Sequence, residues 1–159
     1  MENKQITDLE HLLENYLLKH IPISAAMGVK VDRACSNQII LSAPLSNNIN
    51  HKNTVFGGSL HAVATLACWS LLHINLLNLL KENCQIVIAS SEIQYLAPVS
   101  SDFKTESHMP DALNWECFIK TLRKRGKARL KLSAQIIQES QLCVDYSGIF
   151  VAIKNPLEI

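Results

Sequence analysis

One stretch, residues 60–80, constrains the fold of this 159-residue chain more than any other. It is the most apolar segment, yet histidine, serine and asparagine side chains interrupt it, and these would be costly in the core of a bilayer. A helix over residues 59–81 would be roughly 35 Å long, with apolar side chains on most of its circumference. Such a helix must be wrapped by the rest of the protein, so we predict a buried helix and no membrane span.

Composition narrows the class of protein further. The chain is 48% hydrophobic and 18% charged, and it contains five Gly, five Pro and five Cys, which excludes collagen-like, disordered and disulfide-scaffold classes. We expect one globular domain over residues 1–159. A net charge of +1 argues against a nucleic-acid partner. Because the first residues do not resemble a secretory signal and no CxxC pair is present, we expect a cytoplasmic protein without a metal site.

The remaining segments predict an antiparallel sheet that covers the helix. An N-terminal helix is expected at about residues 7–20, capped by Thr7 or Asp8. Alternating apolar residues over 128–137 indicate a strand with one buried face. Further strands are predicted at residues 29–31, 39–45, 85–96, 103–108, 115–122 and 143–153, with a polar loop at 46–53. The predicted fold is α+β, a curved antiparallel sheet of five or six strands wrapped around one long central helix.

A polar loop that closes in a glycine pair, Gly57-Gly58, precedes the central helix. Adjacent glycines let the backbone approach a ligand closely, and the first N–H groups of a helix have no intrahelical acceptor. Donors of this kind can stabilise a carbonyl oxygen that becomes negative, as in an oxyanion hole. The alternative is a tight turn into the helix with Ser59 as its N-cap.

This loop resembles the Asn, Gly, Thr, His-Gly-Gly pattern of the hotdog-fold acyl-thioester enzymes. The residues that carry the resemblance are Asn50, Asn53, Thr54, Phe56, Gly57 and Gly58. It is closest to the thioesterase domain that follows an N-acetyltransferase domain in some bacteria and stands alone elsewhere. The resemblance spans residues 21–154 and includes residues 92–99, which are similar to the family's strand ending in a Tyr and Pro pair. It therefore supports the fold predicted above.

The resemblance also implies partners and roles. The family forms homodimers or dimers of dimers, with sites at the interface that bind acyl-CoA or acyl carrier protein. Coenzyme A or phosphopantetheine then enters as part of the substrate, and no separate cofactor is expected. By residue, Gly57 or Gly58 would donate to the thioester carbonyl and Asn50 would orient the loop or the substrate. Asn53 stands where the family often has Gly, and asparagine tolerates a left-handed conformation.

Two departures from the family pattern leave the reaction open. Phe56 replaces the loop histidine, and Thr65 replaces the acid that many members carry seven positions after the second glycine. Hydrolysis needs an activated water or an acyl-enzyme, whereas decarboxylation of a malonyl thioester mainly needs a stabilised enolate oxygen. We therefore keep three hypotheses: a thioesterase, a malonyl-thioester decarboxylase and a non-catalytic acyl-thioester binding protein. The candidate catalytic set is Asn50, Gly57, Gly58 and Thr65.

Other side chains complete the predicted substrate site, each with a structural alternative. His51 is a possible acid or base or a solvated loop residue. His61 shares a helix face with Thr65, Trp69 and His73 and either contacts substrate or packs at an interface. Asp102 is the first candidate for a displaced base. The predicted substrate-binding residues of the loop and helix are His51, Asn53, Thr54, Phe56, Ser59 and His61.

A basic run follows the strand predicted at residues 115–122. We predict that Arg123, Arg125 and Lys127 form a turn between two strands. Such a turn is either a solvated hairpin that discourages edge aggregation or a patch that binds the phosphates of coenzyme A or an acidic carrier protein.

Overall fold

Six strands and five α-helices form the described part of the chain, residues 2–155, in this computed structural model, and side chains are described for residues 8–155. In chain order the elements are α1 (Glu2–His20), α2 (Pro22–Ala26), β1 (Lys30–Cys35), β2 (Gln38–Ala43), α3 (Leu45–Asn48), α4 (Gly57–His73), β3 (Cys84–Tyr95), β4 (Phe103–His108), α5 (Ala112–Arg125), β5 (Lys127–Gln138) and β6 (Gln141–Lys154). A π-helical segment, Ile74–Leu79, continues α4.

The sheet confirms the predicted antiparallel architecture and contains six strands. Their order is β1-β2-β4-β5-β6-β3, and every neighbouring pair is antiparallel. Strand β5 follows its sequence pattern, because Leu130 and Leu132 are buried while Arg129 and Lys131 are exposed on the outer face. The apolar inner face is therefore available to cover a helix.

That helix is α4, as predicted. It packs against β2, β3, β4, β5 and β6, so strands surround most of its length. Over Gly57–Leu79 the helix is long and apolar enough to cross a bilayer, but 72% of its apolar window is buried inside this fold. The hydrophobic stretch is thus the core of the domain.

The two edges of the sheet differ. Along β1, the Glu14 carboxylate accepts the Val31 N–H at 2.7 Å, and the Glu10 carboxylate accepts the Ala34 N–H at 3.4 Å. Helix α1 therefore seals this edge with side-chain acceptors. Strand β3, at the other edge, is 12 residues long, and its Val87 and Ile88 side chains are 47% and 40% exposed.

The strand predicted at residues 115–122 is wrong, because this segment lies in helix α5. The Asp111 carboxylate accepts the Asn114 N–H at 3.0 Å and caps the helix, and Gly126 ends it with a φ of 71°. Phe118 and Leu122, four residues apart, are its buried side chains. This spacing fits a helical period, and both end signals are visible in the sequence.

Three smaller predictions also need correction. Helix α1 is already formed at Glu2, so neither Thr7 nor Asp8 is its N-cap. Part of the predicted polar loop forms the short helix α3. The N-cap of α4 is Phe56, which makes no side-chain cap hydrogen bond, and Ser59 instead lies within the first turn.

Candidate active site

The glycine pair lies at the start of α4, as the sequence predicts. Phe56 O accepts the N–H groups of Ser59 and Leu60 at 3.0 and 3.1 Å. Within residues 2–155, the Gly57 and Gly58 N–H groups make no hydrogen bond. Two donors at the positive end of a long helix are therefore free to bind an oxyanion.

Asn50 organises the loop that leads to this helix. Its Oδ1 accepts the N–H groups of Lys52 and Thr54 at 2.8 and 3.2 Å, and its Nδ2 donates to the Thr54 hydroxyl at 2.9 Å and to Val55 O at 3.4 Å. These contacts occupy its polar atoms, so Asn50 positions the loop. Asn53 adopts a left-handed conformation with a φ of 59°, as expected for the position where the family often has Gly.

Two aromatic side chains flank the glycines. The Tyr95 hydroxyl donates to Gly57 O at 3.0 Å. The Phe56 ring, 58% exposed, lies so close to Gly58 that a Cβ there would clash with the ring. Phe56, which stands where the family has a loop histidine, thus places an apolar ring over Gly58. His51 and Asn53 are exposed on the outside of the same loop.

A groove of about 740 Å³ runs between α4 and β3. His61, one turn after Gly57 on the same helix, begins its helical wall, which continues through Thr65 to Trp69. Residues 86–91 of β3 form the opposite wall, and α2 contributes at one end. No Asp or Glu of the described chain lines this groove, so it suits a largely apolar ligand.

Hydroxyl and imidazole groups form a polar cluster near one end of the groove. The Thr65 hydroxyl donates to the Tyr146 hydroxyl at 2.9 Å, and the His61 Nε2 lies 3.0 Å from the Ser91 hydroxyl. The His61 and Tyr146 rings meet edge to face, with centroids 5.4 Å apart. Burial raises the pKa of the Tyr146 phenol, and hydrogen bonds from Thr65 and Ser91 only partly counteract that rise.

Sequence reasoning missed Tyr146 and Ser91, because they come from strands far from the loop. The signal that points to them is Gly148, a glycine within the buried strand β6 and opposite Ser91. A Cβ at Gly148 would stand 2.8 Å from the Tyr146 hydroxyl. Glycine here therefore makes room for the phenol to reach Thr65.

Other predicted or possible catalytic groups do not join this cluster. The Asp102 carboxylate accepts the Leu45 N–H at 2.8 Å, which ties it to the start of α3. Burial raises the pKa of the Cys68 thiol to about 12, so this side chain is not a thiolate at neutral pH. Within the described residues, no three His, Cys, Asp or Glu side chains are grouped closely enough to hold a metal ion.

The basic residues lie at the other end of the domain. The predicted turn between strands is wrong, because Arg123 and Arg125 belong to the last turn of α5 and Lys127 begins β5. Arg123 Nε lies 2.7 Å from a carboxylate oxygen of Glu82, which follows the C-terminal end of the central helix. The α-helical part alone is about 25 Å long, so these residues do not meet the glycine pair of the same chain.

An antiparallel sheet wrapped around a buried helix, with free glycine amides at the head of that helix, defines a hotdog-fold protein. A family model described as "Putative thioesterase (yiiD_Cterm)" matches residues 10–154. This chain belongs to that thioesterase family.

Solved structures agree with this assignment. A protein of unknown function from Chlorobaculum tepidum TLS is 31% identical, with a TM-score of 0.86 over 92% of this chain and 94% of the other. A "putative thioesterase" from Shewanella oneidensis is 30% identical, with a TM-score of 0.82 over 93% and 99%. A thioesterase from Haemophilus influenzae is 15% identical and shares the fold, with a TM-score of 0.65 over 83% and 82%.

Proposed function

We propose that this protein hydrolyses acyl thioesters of coenzyme A or of acyl carrier protein. The observation that carries the proposal is the pair of free amide donors, Gly57 and Gly58, at the head of a buried helix beside an apolar groove. The thioester carbonyl would accept from these amides, and the acyl chain would lie in the groove. Because the donors are fixed before the reaction, they stabilise the oxyanion as it forms.

His61 is the proposed general base. Histidine is the side chain most often used for this role, and this one lies in the groove within 3.0 Å of a serine hydroxyl. It would take a proton from a water held near the Thr65 and Tyr146 hydroxyls. That water would then attack the carbonyl carbon. Collapse of the oxyanion would break the C–S bond, and His61 would return its proton to the leaving sulfur to give the free thiol.

A homodimer completes this site. Because α1 seals the β1 edge, we propose that a second copy pairs with the open edge at β3, antiparallel across a two-fold axis. Thr65 lies about 10 Å along the helix from Gly58, so one thioester carbonyl cannot contact both within one chain. The last residue of β3, Tyr95, contacts Gly57. Antiparallel pairing of two β3 strands would therefore bring the groove of one protomer towards the glycine pair of the other.

The same pairing gives the basic residues a role. In one chain, Arg123, Arg125 and Lys127 lie at the end of the domain where β3 begins. Antiparallel pairing would bring that end towards the glycine pair of the partner. We propose that these side chains attract the phosphates of coenzyme A or the acidic surface of a carrier protein.

Decarboxylation of a malonyl thioester is the second candidate, and the carboxylate-free groove favours it. No Asp or Glu among the groove-lining residues would repel the malonyl carboxylate. Cleavage of the C–C bond would release carbon dioxide and pass its electron pair to the thioester. The Gly57 and Gly58 amides would hold the resulting enolate oxygen, and protonation at carbon would give the acetyl thioester.

A mass-spectrometric time course separates these reactions. The purified protein is incubated with malonyl, acetyl and octanoyl thioesters of coenzyme A and of carrier protein. Free acid with free thiol supports hydrolysis, whereas acetyl thioester from malonyl thioester supports decarboxylation. Saturable binding without any product would favour an acyl-thioester binding protein and overturn both.

Replacing Thr65 with valine should lower hydrolytic kcat by about tenfold or more, because the near-isosteric change removes only the hydroxyl that holds Tyr146 and the water. KM should change little, since the apolar volume of the groove is retained. Steady-state kinetics would measure both constants. Thr121→Val, on α5 and away from the groove, controls for loss of a threonine hydroxyl elsewhere, and wild-type kcat in Thr65→Val would exclude this role.

Ala89→Glu should convert the dimer to a monomer. Ala89 is exposed near the middle of β3, so two-fold pairing would bring the two introduced carboxylates close together. Light scattering on the eluted protein measures the mass, and Ala112→Glu on the exposed start of α5 is the control. A stable dimer in Ala89→Glu would place the interface elsewhere.

A further inference from the structure

The two ends of the groove between α4 and β3 differ in polarity. At one end the His61 imidazole meets the Ser91 hydroxyl, and at the other the Trp69 indole N–H donates to Ile86 O at 3.1 Å. The two walls therefore run side by side from a polar end to an apolar end. From His61 to Trp69 the helix rises about 12 Å, and only about 6 Å separates Thr65 from Trp69.

Trp69 is fixed at the apolar end. Its ring stacks on the His73 ring, with centroids 4.6 Å apart and planes at 22°, and the Tyr16 ring of α1 lies 5.9 Å away. His73 is one turn further along the same helix face, yet it is 3% exposed and does not line the groove. The indole therefore separates the groove from the aromatic cluster behind it.

Helix α2 and its flanks help to enclose the same end. Ile21, Ile23 and Met27 line the groove together with Trp69. All four side chains are apolar, and the hydrogen bond to Ile86 restrains the indole from swinging aside. A chain that enters from the polar end thus meets a fixed wall.

We propose that Trp69 is the end wall of the acyl chamber and limits this protein to short acyl chains. The inference rests on the proposed function, because it takes the thioester to lie at the polar end. An acyl chain anchored near Thr65 extends along the helix until it meets the indole. Longer chains must displace a side chain that is held by a hydrogen bond and two ring contacts.

Trp69→Ala tests this wall. The ratio of kcat/KM for palmitoyl to butyryl thioester should rise at least about tenfold, since one methylene in an apolar pocket is worth about 10-fold to 200-fold. Trp69→Phe keeps an aromatic wall and should retain the short-chain preference. Trp115→Ala, on α5 and outside the groove, is the matched control for loss of a tryptophan.

Two further measurements keep the test decisive. If Trp69→Ala does not fold, as judged by circular dichroism, Trp69→Leu shortens the side chain while it retains apolar contact. Binding of non-hydrolysable butyryl and palmitoyl thioether analogues of coenzyme A is measured by calorimetry for every variant. A relative gain in palmitoyl binding supports the end wall even if no variant turns over substrate, in which case the proposed hydrolysis alone fails. Unchanged palmitoyl-to-butyryl ratios in a folded Trp69 variant would overturn the inference.

Discussion

Gly57→Pro should lower kcat/KM for an acyl thioester by about 100-fold while the helix stays folded, because the change deletes one oxyanion donor. Proline is favoured at the first position of a helix, where its missing N–H has no intrahelical acceptor. The preceding residue, Phe56, already has φ −61° and ψ 133°, which are compatible with a following proline. Steady-state kinetics would measure the loss, and circular dichroism would verify the helix.

Gly57→Ala is the matched control for this experiment. It retains the N–H, and its Cβ would lie 3.4 Å from the Tyr95 ring, an ordinary contact. We expect this variant to keep most of the activity. Equal activity of the proline and alanine variants would exclude the Gly57 amide and leave Gly58 as the remaining donor of the pair.

Acid should destabilise the protein by about 3 kcal/mol between pH 6.5 and pH 4 through His73 alone. Burial lowers the pKa of this imidazole from 6.5 to about 4, because the protonated form is poorly solvated in the folded state. The unfolded chain therefore binds a proton over this range and the folded chain does not. The free energy of unfolding falls as the pH falls through this window, and the contribution of His73 to the pH dependence fades within about one pH unit above pH 6.5.

Urea unfolding at a series of pH values would measure this effect. His73→Phe keeps a ring between Tyr16 and Trp69 but cannot be protonated, so its stability should fall less steeply between pH 6.5 and 4. His11→Gln, at an exposed position on α1, should retain the wild-type slope. The assignment to His73 fails if the phenylalanine variant is as sensitive to acid as the wild type.

The sequence predicts the fold correctly wherever apolar residues recur at the spacing of a single element type, helix or strand. The central helix, the first hairpin and strands β3 to β6 follow from apolar spacing that the structure repeats. Helix α5 departs from the predicted strand, because the dense apolar residues of this segment, Trp115, Phe118, Ile119 and Leu122, resemble those of a short strand. The cap at Asp111 and the glycine at 126 favour a helix, so local end signals were better guides here than apolar content.

The candidate site was predictable only in its local part. The glycine pair and Thr65 are neighbours in sequence on one helix, so a motif reveals them. Tyr146 and Ser91 reach Thr65 and His61 only after β6 and β3 pair, and a linear pattern does not encode that contact. The basic residues from Arg123 to Lys127 can be recognised in the sequence. Their distance from the glycine pair cannot, because it depends on how the elements after α4 are arranged in the fold.

The acceptors that Glu10 and Glu14 supply to β1 also bear on the proposed dimer, because they occupy one edge of the sheet. A sheet with two free edges can pair with a second copy at each edge. Every added copy then presents another free edge, so the assembly can extend into a filament. In this protein one edge is covered by helix α1, so each protomer has a single sheet edge that can pair with another copy. In the proposed dimer, assembly through the edge at β3 would therefore stop at two copies, because the Glu10 and Glu14 carboxylates already occupy the other edge.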